Sequence, residues 1–184
     1  MITTKSWVKY EEKEKNNGEF IIQPLSKGMG LTIGNSLRRI LLSSLPGSAI
    51  TGVKIKGITH EFTTLPNVVE DVLEIICNLK SVIIAKESEE DEVLKLNVKG
   101  KKNVKASDLE CPAGLKILNK DQHLFALGER GEVELEVYVS SGYGYVRAMN
   151  GSNSDEDVEL INIDASFSPT LRVKVVLLGL LLSF

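Results

Sequence analysis

The order of apolar and polar residues along the chain predicts several strands with one buried face. Residues 131–141, "GEVELEVYVSS", alternate between apolar side chains and glutamate or tyrosine, which is the period of a half-buried strand. Residues 49–58, "AITGVKIKGI", alternate in the same way, and 18–25 also predict a strand. "SVIIAK" and "VLKLNVKG" predict a hairpin around the acidic turn "ESEEDE".

Two segments instead show the period of an amphipathic helix. Residues 67–80, "NVVEDVLEIICNLK", gather their apolar side chains on one face, and Asn67 is the predicted N-cap. A second helix is predicted from Asn35 to Leu45, and Pro46-Gly47 ends it. Two helices among many strands, without a regular βαβ alternation, predict an α+β fold.

The helix at 35–45 has two chemically different faces. One arc is apolar enough to pack against a sheet and consists of Leu37, Ile40, Leu41, Ser44 and Leu45. The other arc carries Asn35, Arg38, Arg39 and Leu42, and no acidic residue lies within reach on the helix. Arginine beside an exposed leucine suits a protein interface, but arginine also binds phosphate or pairs with the chain's own acids. The residues alone leave these three interpretations open.

Three glycines before this helix raise an alternative function. Gly28, Gly30 and Gly34 form GxGxxxG, one residue longer than the dinucleotide-binding fingerprint. No compact βαβ unit follows, and no GKS or GKT is present. A nucleotide-binding enzyme that uses this turn is therefore the weaker hypothesis, and backbone geometry is the commoner role of such glycines.

Composition excludes several other classes. The 184 residues carry a net charge of −3, so no overall basic field attracts nucleic acid. Two cysteines and two well-separated histidines predict neither a disulfide framework nor a metal site, and we expect no cofactor and no catalytic residue. The apolar end "VKVVLLGLLLSF" is shorter than the roughly 20 residues of a membrane span. We expect a cytoplasmic protein without a membrane partner.

Four sequence blocks resemble the α subunit of bacterial RNA polymerase. "GMGLTIGNSLRRILLSSLPGSAI" looks like the hallmark segment of that family. "GITHEFTTLPNVVEDVLEIICNLK", "GYGYV" and "IDASFSP" are similar to three further blocks, in the same order. The resemblance extends from about residue 18 to about residue 172.

This resemblance implies a non-catalytic scaffold that forms a homodimer and recruits the β and β′ subunits. It also implies a discontinuous architecture, with a dimerisation subdomain at 1–46 plus 165–184 and a mostly-β subdomain inserted at 47–164. By position in the blocks, Arg39 and Leu42 are expected to contact β, with Arg38 and Asn35 in support. Lys80 and Ile163 match positions that the family uses toward β′, and the apolar arc of the first helix belongs to packing and dimerisation.

The chain departs from the family after "SFSPTLRV". The family continues with a strand, a long helix, a linker and a DNA-binding domain, whereas this chain reads "KVVLLGLLLSF". We therefore expect no direct DNA contact. A truncated fragment that does not assemble is the second alternative.

Overall fold

The computed structural model describes residues 5–148 and 159–178 and combines helices with many strands. The helices are α1 (Met29–Ser43) and α2 (Val72–Lys80). The strands are β1 (Trp7–Glu14), β2 (Asn17–Gln23), β3 (Pro46–Ile55), β4 (Ile84–Lys86), β5 (Glu92–Lys99), β6 (Lys102–Lys105), β7 (Leu115–Ile117), β8 (His123–Leu127), β9 (Glu132–Tyr143), β10 (Tyr145–Val146), β11 (Leu160–Asn162) and β12 (Ala165–Ser166). This mixture confirms the α+β class. Within the described ranges, no helix has the length and apolar character needed to cross a membrane.

The chain divides into two compact units. One holds the described residues up to Leu41 and from Arg172 onward, and the other is Leu42–Leu171. The first unit consists of the antiparallel hairpin β1–β2, most of α1 and an extended C-terminal segment. The rings of Tyr10 and Phe20 lie 4.9 Å apart on this hairpin.

A four-stranded antiparallel sheet forms the centre of the second unit, in the order β11–β3–β9–β5. Successive side chains of a strand point to opposite faces, so every second side chain points into the core, as the sequence predicts for β9. The buried residues of the three longer strands include Val53, Ile55, Leu94, Leu96, Val98, Val133, Leu135, Val137 and Val139. The apolar face of α2 joins the same core through Val72, Ile75, Ile76 and Leu79.

The opposite face of this sheet is charged and exposed. Acidic residues of the inner strand β9 pair with two lysines of β5, through Lys95–Glu136 at 3.1 Å and Lys99–Glu132 at 2.6 Å, and with Lys56, directly after β3, through Lys56–Glu134 at 2.7 Å. Such exposed pairs contribute little stability. They do make a shift in register unfavourable, because a one-residue slip would turn every charge toward the core.

Two local predictions are wrong. The segments "SVIIAK" and "VLKLNVKG" do not form a hairpin, because β4 pairs with β7 and β5 pairs along its whole length with β9. Asn67 is not the N-cap of α2: it has a φ of 59°, and its carbonyl accepts the Gly128 N–H. Asp71 caps the helix instead, since its carboxylate accepts the Glu74 N–H at 2.7 Å.

Phe167, just after β12, crosses closely over the β3–β9 pair. It is only 5% exposed, and its N–H donates to the Gly144 carbonyl at 2.7 Å. Gly47 and Gly142 are paired in register beneath it, and a Cβ on Gly47 would lie 1.8 Å from the Phe167 carbonyl oxygen. The position of Gly47 therefore requires glycine or a displaced segment, whereas a Cβ on Gly142 would meet the Phe167 ring at 2.9 Å.

Candidate functional site

Helix α1 begins six residues earlier than its amphipathic pattern predicts. Gly28 has a φ of 86°, and the Met29 N–H donates to the Ser26 carbonyl at 3.0 Å, so the turn at Gly28 starts the helix. Gly30 and Gly34 are consequently helical residues. The GxGxxxG segment is not a phosphate-binding loop, which removes the geometric basis of the nucleotide-binding hypothesis.

The two helical glycines provide a shallow face for the extended segment 172–178. A Cβ added to Gly30 would lie 2.9 Å from Leu177 Cδ2, and one added to Gly34 would lie 2.5 Å from Val175 Cγ1. A side chain at either position would collide with this segment, which explains why glycine occurs here despite its poor helix propensity. Residues 172–178 are not part of a strand.

The apolar arc of α1 is not buried as expected. Leu37 is 41% exposed and Ile40 is 51% exposed, and α1 contains no fully buried residue. Leu41 is half-buried, whereas Ser44 and Leu45 lie beyond the last helical residue, Ser43. The helix ends there because Pro46 already begins β3 and lacks the N–H that a continuing helix requires.

The arginine arc of α1 faces solvent. Asn35, Arg38 and Arg39 are exposed, while Leu42 is half-buried rather than exposed. Helix α1 contains no acidic residue, so it offers neither arginine a carboxylate partner at i±3 or i±4. Two guanidinium groups on an exposed helix can bind carboxylates or carbonyl oxygens of another molecule.

A second cluster of polar side chains surrounds Lys80 at the C-terminal end of α2. The Lys80 Nζ donates to Asp164 Oδ1 at 2.7 Å, and the Tyr145 hydroxyl donates to Asp164 Oδ2 at 2.9 Å. The Lys80 and Asp164 side chains are each 37% exposed. The hydrogen bonds from Lys80 and Tyr145 lower the pKa of Asp164 below its usual value, and the bond to Asp164 raises the pKa of Tyr145.

Ile163, the other residue matched toward β′, is a core residue. Its side chain is 5% exposed, and its N–H donates to the Thr51 carbonyl at 2.8 Å. In this conformation the side chain does not reach the surface. Ile163 instead fixes the backbone beside Asp164, which brings that carboxylate next to Lys80.

Sequence reasoning missed Tyr145 and the bridging role of Asp164. Lys80 and Asp164 are 84 positions apart, and no local pattern links them. The only available signal is that Tyr145 and Asp164 lie in two blocks that resemble one family, "GYGYV" and "IDASFSP".

Groups suited to metal or acid–base chemistry are scarce in the described part of the chain. No cluster of three or more His, Cys, Asp and Glu side chains there could hold a metal ion. The one close histidine–carboxylate pair in those ranges joins His123 Nε2 to Glu70 Oε1 at 2.7 Å. Glu70 also accepts the Ala126 N–H at 2.7 Å, so the pair connects β8 to the segment before α2.

Comparison with known proteins identifies relatives over most of the chain. Residues 53–168 match the family described as "RNA polymerase Rpb3/RpoA insert domain". The chain is similar to the DNA-directed RNA polymerase subunit alpha of Syntrophomonas wolfei subsp. wolfei, with 47% identity over 164 residues, which are 89% of this chain and 52% of that protein.

Two further relatives carry the same name. The subunit from Symbiobacterium thermophilum is 47% identical over 88% of this chain and 51% of its own length. The subunit from Bifidobacterium adolescentis is 45% identical over 89% of this chain and 49% of its own length. The chain thus spans about half the length of the curated relatives it matches.

Proposed function

Since the chain belongs to the family of bacterial DNA-directed RNA polymerase α subunits, we propose that it is a non-catalytic scaffold of that enzyme. In this proposal two copies pair and then recruit the β and β′ subunits in the cytoplasm. The observation that carries the proposal is the exposed arginine arc of an acid-free helix in a member of this family.

The proposed architecture is a discontinuous dimerisation subdomain with an inserted β-rich subdomain. The assignment of 1–46 plus 165–184 and of 47–164 is supported by the two compact units, whose second unit is continuous in sequence. Strand β12 pairs with β10, and Phe167 packs on Gly47 and Gly142. These contacts favour moving the second boundary to a position after Phe167.

Arg39 is the proposed main contact to β. Arginine is one of the residue types that dominate binding energy at interfaces. Arg39 shares its arc with Arg38, Asn35 and the partly exposed Leu42. Because α1 carries no carboxylate, the positive potential of this arc is not cancelled within the helix. An acidic or carbonyl-rich surface of β fits such an arc.

The apolar residues of α1 are proposed to pair with the second copy. Leu37 and Ile40 are the exposed members of this arc, and Leu41, Ser44 and Leu45 complete it. Each Å² of apolar surface removed from water contributes about 25 cal/mol. Dimerisation therefore offers the exposed leucine and isoleucine a burial that the single chain does not provide.

Lys80 is the proposed contact to β′, and Ile163 supports it from the core. The Lys80 side chain is 37% exposed. An ammonium group has three donors. The bond to Asp164 uses one of them, so the geometry leaves room for a partner's carbonyl or carboxylate oxygen.

Co-purification with β tests the assignment of Arg39. We expect Arg39→Ala to weaken β capture by roughly tenfold to a hundredfold, which corresponds to about 1.5–3 kcal/mol for a charged hydrogen bond. Arg130→Ala is the matched control, because Arg130 is also exposed but lies in the turn before β9. Equal capture by wild type and Arg39→Ala would reject the proposed role of the arginine arc.

Stepwise assembly tests the separation of the β and β′ contacts. We expect Lys80→Glu to weaken the joining of β′ to a preformed complex of two α chains and β, while that complex still forms. Lys116→Glu, a charge reversal at an exposed lysine of β7, controls for the loss of positive charge. If Lys80→Glu blocks β capture and leaves β′ joining intact, the assignment of the two surfaces is reversed.

A further inference from the structure

The bridge between Lys80, Asp164 and Tyr145 connects three elements that are each fixed by the fold. Lys80 ends α2, whose inner face is buried in the core. Asp164 lies between Ile163 and Ala165, which are 5% and 3% exposed. Tyr145 belongs to β10, where it is paired in register with Ser166 of β12. The backbone positions of all three residues are therefore held by contacts other than this bridge.

The two oxygens of the Asp164 carboxylate have separate partners. Oδ1 accepts from the Lys80 ammonium group, and Oδ2 accepts from the Tyr145 hydroxyl. A carboxylate bound at one oxygen can rotate about its side-chain torsions, whereas a second bond at the other oxygen fixes its plane. The hydrogen bond from Tyr145 therefore restricts the orientation of the Asp164 carboxylate. That orientation in turn sets the direction in which the Lys80 ammonium group is held.

Stability alone is a weak reason for this arrangement. Lys80 and Asp164 are more than a third exposed, and exposed ion pairs add little to the free energy of unfolding because water screens them. A long lysine side chain at the surface otherwise samples many rotamers, and ordering it costs conformational entropy when a partner binds. A lysine that is already held in one direction loses less entropy on binding.

We propose that Tyr145 is a positioning residue that orients Lys80, through Asp164, toward the partner subunit that Lys80 contacts. This inference rests on the proposed function, in which that partner is β′. The chemistry that fits the oriented ammonium group is a carbonyl or carboxylate oxygen of the partner. Tyr145 itself is 60% exposed, but its hydroxyl acts through the carboxylate.

The first measurement verifies the bridge in the isolated chain. The phenol of Tyr145 is titrated by NMR with tyrosine labelled at Cζ, in wild type and in Asp164→Asn. The Asp164 carboxylate raises the pKa of Tyr145, so the substitution is expected to lower that pKa toward the ordinary value of about 10. An unchanged titration would overturn the proposal at its first step.

The second measurement is a double-mutant cycle on β′ joining to the preformed α–β complex. Tyr145→Phe is expected to weaken joining by roughly threefold to tenfold, the range of one net hydrogen bond. In the Lys80→Ala background the same change is expected to have no further effect, because the residue that it positions is gone. Tyr143→Phe is the matched control, since Tyr143 is 65% exposed and lies two residues away at the end of β9.

The outcomes separate this inference from the proposed function. If Tyr145→Phe weakens joining equally in both backgrounds, its role is structural and the positioning inference is wrong. If Lys80→Ala weakens joining and Tyr145→Phe does not, only the positioning inference fails. If Lys80→Ala itself leaves joining unchanged, the proposed contact to β′ fails, and the role of Tyr145 fails with it.

Discussion

Gly47 gives the sharpest stability prediction, because a backbone atom occupies the space that a side chain would need. In Gly47→Ala the new Cβ would lie 1.8 Å from the Phe167 carbonyl oxygen, whereas real Cβ atoms stay beyond 3.0 Å. The segment at Phe167 must therefore retreat by more than 1 Å. Its freedom to do so is small, since Phe167 is 5% exposed and its N–H is bonded to Gly144.

The expected cost follows from two opposing contributions. Overpacking costs about 1–3 kcal/mol, and weakening the Phe167–Gly144 hydrogen bond adds about 1 kcal/mol. Replacing glycine also lowers the conformational entropy of the unfolded chain, which offsets about 0.4–1 kcal/mol of this loss. The net loss is about 1–3.5 kcal/mol, which lowers the melting temperature by roughly 2–14 °C in a chain of this size.

Urea denaturation and thermal melting of three variants test this reasoning. Gly142→Ala is expected to cost less than Gly47→Ala, because its Cβ would meet the Phe167 ring at 2.9 Å and a ring can turn aside. Ser48→Ala, the next residue of β3, is the control and is expected to stay within about 0.5 kcal/mol of wild type. A Gly47→Ala variant as stable as Ser48→Ala would refute the close approach.

Two further predictions concern the core and the buried carboxylate. Ile75→Ala, at a fully buried position of α2, is expected to lower the free energy of unfolding by about 2–5 kcal/mol, and a loss below 1 kcal/mol in urea denaturation would contradict the assigned core. For Glu70, burial raises the pKa, but the hydrogen bonds from Ala126 and His123 outweigh it and lower the pKa overall. Because the pKa is lowered in the folded state, the carboxylate stabilises the protein at pH values above its unfolded pKa of about 4.3. This contribution is lost as the pH falls through the pKa of the folded state. Glu70→Gln is therefore expected to lower the free energy of unfolding by about 1–2 kcal/mol at pH 7, and by progressively less below about pH 4, in parallel urea titrations. A difference between wild type and variant that grows as the pH falls would contradict the lowered pKa of Glu70.

The sequence predicts those features that depend on local periodicity. The buried faces of β9 and α2 follow from alternation and from the 3.6-residue period, and Val137 and Ile75 are both buried as predicted. The α+β class follows from the same patterns, since it needs only the types of element and not their pairing.

The remaining differences all involve contacts between distant residues. Strand β4 pairs with β7 and β5 pairs with β9, and no local signal in the sequence specifies either of these long-range pairings. Helix α1 includes Gly30 and Gly34, whose poor helix propensity is offset by close packing of Val175 and Leu177. The partner of Lys80 could not be predicted from the local sequence either, because Asp164 is 84 positions away.

The stoichiometry of the complex with β tests the central claim most directly. Native mass spectrometry of this chain mixed with purified β is expected to give one complex of two chains with one β subunit. The Arg39→Ala variant is expected to remain a dimer of the chain while losing most of the bound β. If the wild-type chain forms soluble aggregates, stays unbound, or binds β equally well with and without Arg39, the proposed scaffold function is contradicted.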